Sequence, residues 1–463
     1  MMHRLPYILS LLLTSLLTCS AAHFANGIKI GEVDHSSAVV WTRLTTHPKA
    51  IHQNNTHNFY PKKEKKLDPL PWQVPGTPGQ VRITYWPQQQ PNKPHTSPWV
   101  QVNATTDFCH KFHLKNLLPA TTYQLKLEAR KADADTHPST FTGSFLTAPS
   151  SVSTDPLTFC VTTCQGFHRR DTPDGHMIYQ SMLELKPSFL AHTGDVLYYD
   201  KPQPFAKTIP LARYKWNRIY ALPHLKNFHR QVSCYYQKDD HDVIKNDAWP
   251  GQHYGKISFQ DGLNIFSEQT PFPQNHPYRT RRWGKHAQIW FMETRDFRTP
   301  NNLPDPNQRK IWGDQQIQWL ANSLAASDAS FKFVVSATPI VGPDRTKGKS
   351  DNHANASHRV EGDKVRALLS ASPNTYVICG DRHWQYASIH STTKLHEFGC
   401  GPASDIHASG YSLKERTPEH TYLKICGGFL SVTVKETNGS PTATFTHHSV
   451  DGSTNNTQSF KLQ

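Results

Sequence analysis

Long apolar runs are missing after the first twenty residues. Nothing beyond them approaches the roughly 20 apolar residues that a membrane span requires, so a multi-span membrane protein is excluded. Charged residues are also sparse, at 19%. Large apolar side chains are not, and 11 Trp and 22 Phe within a 36% hydrophobic content exclude wholesale disorder. Acids are outnumbered by bases, for a formal charge of +14, which favours anionic partners. Zinc-finger, RNA-recognition and homeodomain patterns are absent, so no specific nucleic-acid-binding motif is present. The densest basic cluster, Lys62-Lys63-Glu64-Lys65-Lys66, lies in a proline-rich stretch and reads as a solvated loop. There is no internal repeat and no coiled coil.

The N-terminus carries the one apolar run. Arg4 supplies a positive start, Ile8 to Leu17 is a short apolar core, and Ser20-Ala21-Ala22 offers small residues for cleavage. The pattern predicts export with a mature chain beginning near His23, and hence a secreted, periplasmic or cell-surface location. An uncleaved anchor is the alternative. Of eight cysteines, Cys19 leaves with such a signal. Seven remain, an odd count that suggests one thiol with work other than pairing.

At 463 residues two domains are the default expectation after the signal. From residue 23 to 150 the pattern is short strands and turns: Ser37 to Arg43, Gln80 to Trp86 and Tyr123 to Ala129 are rich in β-formers. Nine prolines between residues 61 and 98 rule out a long regular element there. A small β-sandwich fits. Ala148-Pro149-Ser150-Ser151-Val152-Ser153 reads as a linker, and from 151 to 463 apolar strands alternate with helices. The strands include Leu157 to Val161, Ser188 to Ala191, Ala287 to Met292, Phe331 to Val335 and Thr375 to Cys379. Alternation of this kind predicts a layered α/β domain with loops gathered at strand ends.

Four segments each follow such a strand and then present metal-capable groups. They are Thr163-Cys164-Gln165, Gly194-Asp195 with Tyr198 and Tyr199, Asp239-Asp240-His241-Asp242 running to Asn246-Asp247, and Gly380-Asp381-Arg382-His383. Hydrolysis of a phosphoester needs positive charge to offset the phosphate and to acidify an attacking water. A carboxylate such as Asp195 can bridge two cations, while Asn and His fill a site as neutral ligands. Each segment alone is compatible with a structural turn or a solvated acidic loop; four in one domain point to a shared site.

These segments resemble the alkaline phosphatase D (PhoD) family of the metallophosphoesterase superfamily. Glu293 to Arg298, Gly313-Asp314-Gln315-Gln316 with Trp319-Leu320, and Val39-Val40-Trp41-Thr42-Arg43-Leu44 resemble it too. The resemblance runs through nearly the whole mature chain in order. It implies a fibronectin- or immunoglobulin-like β-sandwich leader followed by a four-layer α/β catalytic domain with two central mixed sheets. It also implies a phosphomonoesterase or phosphodiesterase with a mixed centre of Fe3+ and Ca2+, attack by a metal-activated hydroxide, and an anionic phosphoester as substrate. Cys164, Asp195, Tyr198, Asn246, Asp381 and His383 become the implied ligands, with Asp195 as bridge. Thiolate and phenolate suit a ferric ion, and carboxylate and amide oxygens suit calcium.

His241 is the expected proton donor or charge stabiliser, oriented by Asp240 and Asp242. Arg382 either binds phosphate beside the pocket or pairs with a carboxylate such as Asp240. Arg295 and Arg298 pose the same choice between substrate binding and structural ion pairs. Trp249, Trp283 and Trp384 either line a substrate pocket or pack in the core. Rival readings are a phospholipase-type or sugar-phosphate phosphodiesterase, and a non-catalytic adhesion or carbohydrate-binding protein on the same fold.

Overall fold

The computed structural model describes residues 22–54, 68–131, 138–273, 275–345 and 350–462. The N-terminal apolar run and the Lys62 to Lys66 cluster lie outside these residues.

Alternation along the apolar strands decides the layering. In Leu157–Thr162, Phe159 and Val161 point to one face while Cys160 points to the other, as the two-residue period of a strand requires. Phe159 and Val161 meet Phe333 and Val335 of Phe331–Ser336 across an apolar core between two sheets. Cys160 faces a second core built with the helices Ile178–Glu184, Ile209–Ile219, Pro223–His229 and Phe259–Gln269. On the far side, Trp290, Val334 and Val377 pack against Leu320, Leu324, Val365 and Leu369 of the helices Gly313–Ala325 and Arg359–Ser370. The result is helix, sheet, sheet, helix: four layers in a mixed α/β fold with a leading β region.

One sheet has nine strands and the other seven. Leu157–Thr162, Phe189–Thr193 and Ser233–Gln237 run parallel in the first. Ala287–Phe291, Phe331–Ser336, Thr375–Cys379 and His396–Cys400 run parallel in the second. Parallel strands deliver their carboxyl ends to one edge. The tail is β as its pattern predicts, with Phe429–Thr437 pairing antiparallel to Leu157–Thr162 and to Ser440–His448.

The leader is a sandwich. Ile28–Gly31, Ala38–Arg43 and Cys109–Leu114 face Gly79–Pro87, Thr122–Arg130 and Ser139–Leu146 across a core that includes Ile30, Val40, Ile83 and Leu127. The expected break near residues 149 to 155 is not a break in the sheet. Ile28–Gly31 pairs parallel with Ser233–Gln237 through Gly31 and Cys234, so leader strands extend the nine-stranded sheet. Gly31 makes the join possible, because a Cβ there would meet the Cys234 carbonyl at 2.5 Å.

All seven cysteines among the described residues are free and buried. They pack as small apolar side chains, so the odd count says nothing about which thiol has another task.

Candidate metal centre

The strand ends converge through close backbone approach. Gly194, at φ +97°, lies so near the Asp239 segment that a Cβ would meet Asp239 Cβ at 2.5 Å. Gly380 sits against the hydroxyls of Thr193, which ends a strand of the opposite sheet, and of Thr163, the residue just past another. Glycine is required at both places because no side chain fits. The residues that follow turn sharply, and Cys164, Asp195 and Asp381 have φ of 53°, 53° and 61°. Non-glycine residues seldom adopt this left-handed region, and such strain collects at functional sites.

Two groups of metal-capable atoms result, each with all its ligand atoms within 4.8 Å of one another. One is Cys164, Asp195 and His383; the other is Asp195, Asp240 and His241. Asp195 belongs to both. The Cys164 thiol donates to Asp195 Oδ2 at 3.4 Å, and the Tyr198 hydroxyl donates to the same oxygen at 3.0 Å. Asp195 Oδ1 is buried with no hydrogen-bond partner. Asp195 and His383, 188 residues apart, thus meet at one place. They arrive from different sheets, the nine- and the seven-stranded, and not from one sheet as their matching Gly-Asp pairs suggest.

The electrostatics are those of crowded acids. Burial, then Asp240 and Asp381, push the Asp195 carboxyl up against the lowering effect of His241. Burial, then Asp195 and Asp381, raise the Cys164 thiol; burial, then Asp195 and Cys164, raise the Tyr198 phenol. A buried carboxylate oxygen without a partner, amid further anionic donors, suits a cation. The residues therefore fit a bound cation, and Asp195 is common to both groups.

Not every expected ligand joins the groups. Asn246 is exposed; its side chain donates to Asp247 at 2.8 Å and its backbone N–H to Asp200 at 3.0 Å. Asp240, earlier on the turn after Ser233–Gln237, is buried and belongs to one of the groups. Asp381 lies beside the centre, its carboxylate 2.6 Å from Arg382. Tyr199 points into the core, accepting a bond from Trp216, so Tyr198 alone of the pair faces Asp195.

His241 is oriented by Asp200, through Nδ1 to Oδ1 at 2.7 Å, and not by Asp240 and Asp242. Asp242 instead accepts the N–H groups of Asp239 and Leu197 and shapes the turn. Burial opposes charge on His241, but Asp240, Asp195 and Asp200 outweigh it and raise its pKa to about 10.

The three arginines expected to meet substrate are buried in protein contacts. Arg295 pairs with Asp239 at 2.5 Å and lies 3.8 Å from Asp240. Arg298 bonds Asn301 and the Asp351 carbonyl. Arg382 holds Asp344, Asp351 and Asp381 at 2.7, 2.8 and 2.6 Å, a different set from the expected Asp240. Arg295 and Arg382 are thus engaged with carboxylates, whereas Arg298 keeps a buried Nη1 without a hydrogen-bond partner. Trp283 and Trp384 are core residues, and Trp249 is half-buried.

One residue at the centre had no motif to announce it. His407 is buried with its ring 4.1 Å from that of His383 and 5.4 Å from that of Tyr198, and its Nδ1 meets the Cys164 carbonyl at 2.8 Å. It stands alone in the Asp405–His407 turn, without the strand-then-Gly-Asp pattern that flags the others.

The comparisons with known proteins agree with this architecture. A solved structure described as that of PhoD superposes with a TM-score of 0.72 at 17% identity, covering 95% of this chain and 90% of that one. The purple acid phosphatase PPD1 from yellow lupin (Lupinus luteus) seeds gives 0.62 at 11% identity, covering 93% and 73%. Both likenesses are of fold. No curated protein matches in sequence. The model of the PhoD-like phosphatase N-terminal domain matches residues 15–149, and that of the PhoD-like phosphatase matches 159–447. With the family's two models spanning most of its length, the chain belongs to the PhoD-like phosphatases and is a phosphoester hydrolase.

Proposed function

We propose that the chain is an exported hydrolase that works with two cations, one at Cys164, Asp195 and His383 and one at Asp195 and Asp240, beside His241. The observation that carries this reading is the sharing of Asp195, whose Oδ1 is buried and without a protein partner. Bound cations supply positive charge for the phosphate and acidify the attacking water. The donor sets differ in kind: thiol, phenol and imidazole around the first suit iron, and the carboxylates around the second suit calcium.

The chain's own residues do the rest. Cys164, Asp195 and Asp381 are held in strained turns, so the donors are placed before substrate arrives. Asp200 fixes the His241 ring through Nδ1 and leaves Nε2 to give a proton to the departing oxygen. Arg295 and Arg382 hold Asp239, Asp240 and Asp381 in place. The N-terminal apolar run and small residues support export.

Elemental analysis of purified protein, with hydrolysis of phenyl phosphate and bis(4-nitrophenyl) phosphate before and after chelation, tests the reading. Two cations per chain, and activity lost on chelation and restored by iron with calcium, are expected. Undiminished hydrolysis by metal-stripped protein ends it.

A further inference from the structure

Beside Tyr198 lies a small slot of about 30 Å³ that opens to solvent at its mouth. Tyr198 and His407 line it, which sets it beside the first group of metal-capable donors. Four cationic side chains line it, Arg169, Lys201, Lys215 and Arg218, and no Asp or Glu does. This is the reverse of the centre itself, where Asp195, Asp240 and Asp381 crowd together.

The cations are arranged in depth. Lys215 and Arg218 are buried and stand behind, where Lys215 Nζ donates to the carbonyls of Tyr198, Tyr199 and Lys201. Arg218 donates to the Gln203 carbonyl and the Tyr214 hydroxyl, both neutral acceptors. Arg169 and Lys201 are half-exposed. The nearest acid in sequence, Asp200, is turned to His241 and the Asn246 N–H. The walls between are apolar, Phe167, Leu197 and Ile219, and in such a medium charge is screened less than in water.

We propose that this slot is a subsite for a second anionic group, so that the preferred substrates are phosphoesters whose leaving group carries a further carboxylate or phosphate. The assignment rests on the phosphoester reading above and names its substrate class. With the scissile phosphate at the metal-capable donors, a small leaving group reaches past Tyr198 into the slot. There its charge meets Lys201 and Arg169, with the fields of Lys215 and Arg218 behind them. Its small volume argues for a compact anion and against a long acyl chain.

Three matched esters test this: phenyl, 4-carboxyphenyl and 4-butylphenyl phosphate, with metal supplied. Wild-type protein should show the highest kcat/KM for the carboxyphenyl ester, and raising the salt concentration should erode that preference. In Lys201→Gln and in Arg169→Gln the ratio of carboxyphenyl to phenyl kcat/KM should fall about fivefold, as for a partly exposed ion pair. Thermal melting checks that each variant is folded, and the salt series on wild type decides the matter if either is not. A preference for the butylphenyl ester, or a ratio indifferent to both salt and substitution, overturns the subsite while leaving the phosphoesterase intact. Failure to turn over any of the three overturns the phosphoester reading, and the subsite falls with it.

Discussion

The protein buries carboxylates in two contrasting ways. Glu361 and Glu397 each gather three successive backbone N–H groups. Glu361 accepts from Ile311, Trp312 and Gly313 and meets His353, while Glu397 accepts from Ile340, Val341 and Gly342 and from Tyr386. Asp107 is as well provided, with Arg43, Asn217 and Gln269 around it. At the metal centre the pattern breaks: Asp195 Oδ1 and Asp239 Oδ2 are buried with no partner. Hydrogen bonding holds the Glu361 carboxyl down to about 2 against the effect of burial, whereas burial drives Asp195 upward. Satisfied acids serve the scaffold, while the unpartnered Asp195 oxygen suits a cation.

The sharpest way to break this contrast is Asp195→Asn, which keeps shape and removes the shared charge. Turnover should fall on the order of a thousandfold, and bound metal should be lost with it by elemental analysis. A variant that keeps both its metal and its rate would place Asp195 among the scaffold acids. Next in size is Arg382→Met. It leaves Asp344, Asp351 and Asp381 buried without their cation, so denaturant unfolding should show a loss of about 3–5 kcal/mol.

Glu361 gives the contrast its pH dependence. Its pKa is depressed in the folded state, so its contribution is fully present above about 4.5, the unfolded value, and drains away as pH falls through about 2. At about 1.4 kcal/mol per pH unit between those values, the contribution is about 3 kcal/mol. Melting temperature measured across that window should drop more steeply for wild type than for Glu361→Gln; parallel curves would refute the assignment. The smallest effect expected is that of Asn246→Ala, which should alter turnover within about twofold. Asp240→Ala should cost on the order of a hundredfold. The reverse ranking would return Asn246 to the ligand set.

Much of this was legible in the chain. The strands at Leu157, Phe189, Phe331 and Thr375 are dense apolar runs, and the turns at Gly194-Asp195 and Gly380-Asp381 follow them directly, so both layers and loop ends could be read locally. Asn246 shows the limit. Motif matching puts it in the site, but the path of the loop after Gln237 decides which polar group turns inward, and that path depends on packing. For Arg295 and Arg382 the choice between substrate and ion pair stays open in the sequence, since partners such as Asp239, Asp344 and Asp351 come from distant segments. His407 gave no local signal, and the Gly31–Cys234 join is a pairing across some two hundred residues of chain.

That join has a mechanical consequence. A leader tethered only by residues 149–155 would swing freely, and a protease cutting there would release it as a soluble fragment. Stitched into the sheet, leader and catalytic body form a single plate. A nick in the tether should leave two pieces that migrate together in native conditions and part only in denaturant. Expressing the catalytic portion alone would bare the Ser233–Gln237 strand along one side, an open hydrogen-bonding edge that invites aggregation.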